Sequence, residues 1–430
     1  MTENRKNRDK VDPTKKHESI EGWSFEKIGD IFKGIKSGGT PKRGKDKYWK
    51  NGKIPFVKIE DLNRQKGNGI SDAKEYTTKK AIEEGKTRIY EPGTILLTIY
   101  GTLGETGIVT KPVSTNQGII GLWDPIDTNI QFARYALDYE QDRLASKKRE
   151  TTQANIGKNI LKLHEIPHPP LPEQRKIASV LYNVDQAIQK TEEIIEQTQR
   201  VKKGVMQDLF TEGYYEHEEF EDEGPLEKRP ADWKIRSLNE VADIEMGSSP
   251  KSEYYNEDGE GLPFYQGNNE FGDRNPDTEV WCSDPVKTAD KDDILISVRA
   301  PVGDLNIAPE KCCIGRGLAG ITAEEINRDY LFYHLKEREN FLVRISAGST
   351  YDSINSSQLK NLKLKIPKPE EQEKIAEALQ NLDDKINSNK RQKQQLQRLK
   401  KGLMQDLLTG EVRTKDRDIE VVDAVKEVEG

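Results

Sequence analysis

The chain has 430 residues, with 68 Lys and Arg against 75 Asp and Glu, a formal net charge of −7, and hydrophobic and charged residues each at 33%. A typical globular chain is only about 25% charged and richer in apolar residues, which argues against one large enclosed core and for several small ones joined by long exposed elements. Taken alone, the mild acidity also argues against a nucleic-acid binder.

In chain order, residues 1–20 read as a polar, flexible tail without the apolar stretch of a signal peptide. Residues 21–170 read as a first globular unit with a turn at Ser37-Gly38-Gly39-Thr40-Pro41, a buried strand at 95–99 and a short helix at 134–144. Residues 171–212 form a long helix, and 213–232 an acidic, solvated linker. A second globular unit covers 233–368, with a turn at Gly247-Ser248-Ser249-Pro250, a strand at 294–298 and a helix at 329–341. A second long helix spans 369–410, and a charged tail 411–430. No run approaches the ~20 apolar residues of a membrane span. Cys282, Cys312 and Cys313 make no CxxC pair, and the five histidines show no metal spacing. The expectation is a soluble, cytoplasmic chain without metal or membrane contact.

This order is a duplication. Residues 171–211 and 369–409 align without gaps at a shift of 198, with 20 of 41 positions identical. The matches include Glu173-Gln174 with Glu371-Gln372, Lys202-Lys203-Gly204 with Lys400-Lys401-Gly402, and Met206-Gln207-Asp208-Leu209 with Met404-Gln405-Asp406-Leu407. Upstream the likeness thins to framework positions: Trp23 with Trp233, Ile54-Pro55-Phe56 with Leu262-Pro263-Phe264, and Gln117-Gly118 with Arg316-Gly317.

Each long segment carries apolar residues at 3–4 spacing. These are Ile177, Leu181, Val184, Ile188, Ile195, Val201, Val205 and Leu209, then Ile375, Leu379, Leu382, Ile386, Leu396, Leu399, Leu403 and Leu407. Packing the two on each other, antiparallel, covers both stripes and gives a rod of about 60 Å between the globular units. The fold class is thus duplicated α/β (α+β) globular domains joined by two long helices in an antiparallel coiled coil. Charge is uneven along it. Residues 1–170 hold 31 basic and 23 acidic residues, residues 212–232 hold 2 and 9, and residues 233–368 hold 17 and 23. The objection to nucleic acid is therefore confined to the second unit.

The ordered set just described resembles the specificity subunit of type I DNA restriction–modification systems. The resemblance rests on Ser37-Gly38-Gly39-Thr40-Pro41, Tyr48-Trp49 with Ile54-Pro55-Phe56, the helix entries Ile166-Pro167…Pro172-Glu173-Gln174 and Ile366-Pro367…Glu371-Gln372, and the doubled order of domain and helix. It implies two target-recognition domains, each reading one half of an asymmetric bipartite site on double-stranded DNA. At ~34 Å per DNA turn the half-sites would lie on the order of one turn apart. It also implies helices that set the gap and dock two methyltransferase subunits. Those partners would carry S-adenosylmethionine, and restriction subunits would carry ATP and Mg. This chain would bind no cofactor and catalyse nothing. No Asp/Asn-Pro-Pro-aromatic motif occurs, and Gly85-Lys86-Thr87 lacks the upstream glycine of a P-loop. A coiled-coil scaffold that binds proteins only is the alternative.

Candidate DNA contacts in the first domain are Lys42, Arg43, Lys45, Lys47, Tyr100, Gln117, Thr151, Gln153 and Asn155. In the second they are Lys251, Gln266, Asn268, Asn269, Arg299, Arg316, Thr350 and Tyr351. Arg suits a bidentate contact with G, and Gln or Asn one with A, while Lys suits phosphate. Candidate docking residues on the helices are Glu173, Gln174, Lys202, Lys203, Glu371, Gln372, Lys400 and Lys401.

Overall fold

The duplicated segments close into helices at Leu171–Thr211 and Pro369–Leu408 in the computed structural model, which describes residues 20–65, 69–101, 103–149, 157–222, 228–347 and 353–426. The expected tail at 1–20 lies almost wholly outside these residues. The chain divides into two units, Met1–Glu193 with Lys390–Gly430, and Ile194–Asn389. Each therefore contains one globular domain and one half of each long helix.

In the first unit, Ser24–Lys27 pairs antiparallel with Glu165–His168, joining the start of the domain to the strand that feeds the helix. Two further sheets build the domain. One has the order Phe32–Ser37, Ile119–Pro125, Ile95–Thr98, Thr106–Ile108, all antiparallel. The other runs Tyr76–Thr77, Ile54–Val57, Val113–Thr115, Ile89–Tyr90, with the middle pair parallel. The second unit repeats this plan. Lys234–Ser237 pairs with Lys363–Ile366; Ala242–Met246, Leu318–Ala323, Ile294–Ser297 and Leu305–Ile307 form the antiparallel sheet; and Leu262–Tyr265 runs parallel to Cys312–Ile314. The apolar runs expected as strands are central and fully buried in both copies.

The expected helices at 134–144 and 329–341 are each two helices: Ile130–Tyr139 with Gln141–Arg149, and Arg328–Glu337 with Glu339–Ser346. Their starts are capped alike, since the Asn129 side chain accepts from Phe132 N at 3.1 Å and that of Asn327 from Tyr330 N at 2.9 Å.

Within each unit the two helix halves run antiparallel. In the first, Lys400 Nζ lies 2.6 Å from Asp185 and Lys393 Nζ 2.6 Å from Glu192, so the partner number falls as the other rises. In the second, Lys202 Nζ bonds Asp383 at 2.5 Å, while Val205 and Leu209 pack with the cluster holding Ile375 and Leu379. Ile177, Leu181, Ile375 and Leu379 are buried as their spacing predicts, but Val201 and Leu399 are 54% and 52% exposed. These two matched positions follow the 3–4 spacing yet lie off the seam.

Two segments differ from expectation. The acidic linker is ordered where described: Phe220–Glu221 pairs with Arg229–Pro230, and Tyr214 N and His217 Nε2 reach Glu371 at 2.9 and 3.0 Å. Its acidity hid this, because the bonds use its backbone and its one histidine. The C-terminal segment is likewise no loose tail. Val425 is buried in the first domain's core, Val421 and Val422 pack against that core, and Arg413 donates to both oxygens of Glu173.

Asp185 ties the first domain to both long helices of the first unit. It accepts from Arg134 Nη2 at 3.0 Å and Tyr135 OH at 2.7 Å and faces Lys400, with Arg134 itself buried. Burial pushes the Asp185 pKa up, but Lys400 and Arg134 outweigh it and hold the group below its ordinary value. Glu173 is also held down, burial being outweighed by Arg413, the Trp23 indole N–H and the Thr414 amide. Removing one member of a buried pair strands the other charge. Asp185→Ala should therefore cost the first unit about 3–5 kcal/mol, seen as faster amide exchange in Ile130–Tyr139; unchanged protection there would refute the role given to Asp185. A carboxylate whose folded pKa is lowered gives its full stability above the unfolded value and loses it as pH falls through the folded one. Starting from ordinary values of 3.8 and 4.5, melting of the first unit should decline below about pH 4.5, and less steeply in Asp185→Asn. Equal slopes for the two proteins would rule out Asp185 as a source.

Candidate DNA interface

The turn before the basic stretch is forced into close contact. A Cβ on Gly38 would lie 2.2 Å from the Thr115 carbonyl oxygen, and one on Gly247 would lie 2.1 Å from that of Gly315, so each turn can lie against the neighbouring loop only as glycine. The contact is stitched identically in both domains. Gly39 N donates to Thr115 O and Ser248 N to Ile314 O, both at 3.0 Å. Ile99 N reaches Gly118 O at 2.9 Å, and Val298 N reaches Gly317 O at 2.8 Å. Three loops per domain thus share one backbone frame: the glycine turn, the loop after the central strand, and Asn116-Gln117-Gly118 or Gly315-Arg316-Gly317.

Side chains at the tip differ. In the first domain the Thr40 hydroxyl donates to Gln117 Oε1, and a Cβ on Gly118 would lie 3.3 Å from the Tyr100 ring. Gln117 and Tyr100, two of the expected readers, are therefore exposed neighbours. In the second domain Ser249 Oγ receives Arg316 N at 3.2 Å, Arg316 Nε at 3.3 Å and Gln266 Nε2 at 3.0 Å. Arg316 and Gln266 are thereby brought together. Arg299 is exposed on the adjoining loop, where its backbone bridges to Ser353. Asn268 donates to Asp304 at 2.7 Å, which ties down its side chain, while Asn269 is exposed. Lys251 is exposed beside Glu253 at 3.4 Å. Thr151, Gln153, Asn155, Thr350 and Tyr351 lie outside the described residues.

The basic loop after Pro41 is less free than its composition suggests. Arg43 pairs with Glu75 and lies 4.2 Å over the Trp49 ring, and Lys47 pairs with Glu84 at 2.7 Å. The bonds from Lys47 and Tyr48 hold Glu84 at about 2. Tyr48 is buried and Trp49 packs edge-on to Phe56, so neither ring is offered to a base. Lys42 and Lys45 are exposed. Lys58, at the position matching Gln266, is paired with Glu75.

Thr40 and Ser249 were read only as turn residues. The signal was present, since a hydroxyl residue precedes proline at the same place in both copies, Thr40-Pro41 and Ser249-Pro250. Among the described residues no group of three or more His, Cys, Asp or Glu could hold a metal, and no helix is long and apolar enough to cross a membrane.

The expected docking residues need correction. Glu173, Gln174, Glu371 and Gln372 are buried. Trp23 and Trp233 donate to Glu173 and Glu371 at 3.0 Å, and Asn129 N and Asn327 N donate to Gln174 and Gln372 at 2.8 Å. They weld each domain to its helix and cannot meet a partner. Lys202 and Lys400 are engaged with Asp383 and Asp185. Lys203 and Lys401 are exposed.

Comparison with known proteins agrees with this layout. The family model for the type I restriction modification DNA specificity domain matches twice, over residues 20–200 and 230–398. The putative type I restriction enzyme MjaX specificity subunit of Methanocaldococcus jannaschii is 36% identical over 416 residues, covering 92% of this chain and 95% of the relative. The MjaVIII specificity subunit of the same organism is 28% identical over 92% of this chain and 94% of its own. Among solved structures, a chain of a type I R-M system studied for complex assembly and conformational transition shows 25% identity and a TM-score of 0.60, covering 92% of this chain and 100% of that one. The S subunit from M. genitalium, at 18% identity and a TM-score of 0.57 over 92% and 98%, shares the fold. Two recognition domains on one backbone frame, matched end to end by these relatives, place the chain in the family of type I restriction–modification DNA specificity subunits.

Proposed function

We propose that the chain reads an asymmetric bipartite target on double-stranded DNA, one half-site per domain, and makes or breaks no covalent bond itself. One observation carries this reading: the three-loop frame is the same in both domains while the side chains at its tip differ. A protein scaffold with two equal docking sites would have no use for that divergence. The helices set the spacing between half-sites and dock two methyltransferase subunits, with restriction subunits joining for cleavage. S-adenosylmethionine then belongs to the methyltransferase, and ATP with Mg to the restriction subunit. The docking surface moves from the buried Glu-Gln pairs to matched exposed positions, Val201, Lys203 and Gly204 with Leu399, Lys401 and Gly402. The complex works in the cytoplasm, where its DNA is. The second domain, with 17 basic against 23 acidic residues over 233–368, reads bases while its partners hold most of the phosphates.

The test is to exchange residues 21–170 for the first domain of another family member and sequence the methylated sites in the host. One half of the motif should change and the other persist; an unchanged motif would favour the scaffold. Binding of the assembled complex should also separate the lysines. Lys42→Ala or Lys45→Ala should each lower the slope of log affinity against log salt by about 0.9, and Lys47→Ala by less, its ammonium being already paired with Glu84. Equal effects from all three would remove the distinction drawn between free and paired cations.

A further inference from the structure

Gln117 and Arg316 occupy the same place in the two domains. Each sits in a three-residue loop after the inner parallel strand, followed by a glycine whose carbonyl accepts from Ile99 N or Val298 N. A hydroxyl from the glycine turn steadies each, Thr40 on Gln117 and Ser249 on Arg316. Both side chains are exposed. What differs at this place is the chemistry presented, an amide in one domain and a guanidinium in the other.

From this juxtaposition we infer that Gln117 reads an A·T pair in the first half-site and Arg316 a G·C pair at the corresponding place in the second. The inference rests on the half-site reading above. Thr40 donates to Gln117 Oε1, which holds the amide at that atom. An amide oxygen has a second lone pair, free to accept from adenine N6 while Nε2 donates to N7, the bidentate pattern glutamine makes with that base. Arg316 uses its backbone N and Nε on Ser249, leaving the terminal Nη1/Nη2 fork to face guanine O6 and N7. Arg274, Arg328 and Arg236 of the same domain are bound by Asp329, Asp292 and Glu325, whereas Arg316 makes no ion pair with a described residue. Three arginines of the acidic domain are thus held by its own carboxylates, while the Arg316 fork is not. A steadied side chain loses little freedom on binding, so more of the energy of a bidentate contact is kept.

The test uses the chain assembled with its methyltransferase partners, expressed in a host whose methylated sites are then sequenced. Gln117→Ala should make one A·T position of one half-site degenerate, and Arg316→Ala one G·C position of the other. Discrimination there should fall on the order of ten- to a hundredfold, the value of one bidentate pair. Gln117→Arg should convert the A·T position to G·C. Degeneracy at the wrong base class, in the wrong half-site, or nowhere overturns the inference. Should a variant methylate nothing, selection of bound sequences from a random pool by the same complex decides, and recovery of the full wild-type motif also overturns it. If the wild-type motif is not bipartite, the half-site reading itself fails, which is a separate result.

Discussion

Each unit is organised around one buried carboxylate at the start of a long helix. Glu173 accepts from the Trp23 indole, the Arg413 guanidinium and the Thr414 amide; Glu371 accepts from the Trp233 indole, the Tyr214 amide and His217. A carboxylate out of water is tolerated only when its lone pairs are filled, so these donors must arrive together or the site is costly. Because the carboxylate sits on the helix and its donors come from the stretch before the domain's first strand and from the segment after the opposite helix, satisfying it fixes domain, helix and connector at once. The neighbouring glutamine completes the weld, accepting from the cap residue of the domain's helix and donating to the carbonyl of Pro169 or Pro367. The recognition loops inherit their position from this joint.

That joint explains where reading the sequence succeeded and failed. The duplication, the buried runs at Ile95 and Ile294 and the ends of both long helices were legible, because they depend on local spacing and local turn chemistry. Glu173 was misread as a partner contact because a repeated polar pair in a first helical turn looks exposed. Its partner Trp23 lies 150 residues away, and no periodicity encodes such a contact. Val201 and Leu399 failed in the opposite sense: their spacing fits the seam, but the geometry leaves them outside it. The tip residues Gln117 and Arg316 were visible as types, yet their common support by Thr40 and Ser249 needed the fold.

Charge is arranged for control as much as for attraction. The first domain's basic loop is partly neutralised by Glu75 and Glu84, and the second domain binds several arginines internally. A subunit with a strong unpaired field would bind DNA anywhere, since phosphate attraction carries no sequence information. Holding cations in pairs lowers that background.

The C-terminal segment that clasps Glu173 has a bearing on synthesis. The first domain emerges early from the ribosome, yet its core includes Leu407, Leu408 and Val425, and its carboxylate waits for Arg413 and Thr414. At roughly 5–20 residues per second, the interval between making Glu173 and making its clasp is on the order of tens of seconds. Through that interval the nascent domain exposes apolar surface and an unsatisfied charge. Of the two domains, the one made first is thus the last to be finished, and a chaperone has its longer window on the domain with the excess of basic residues.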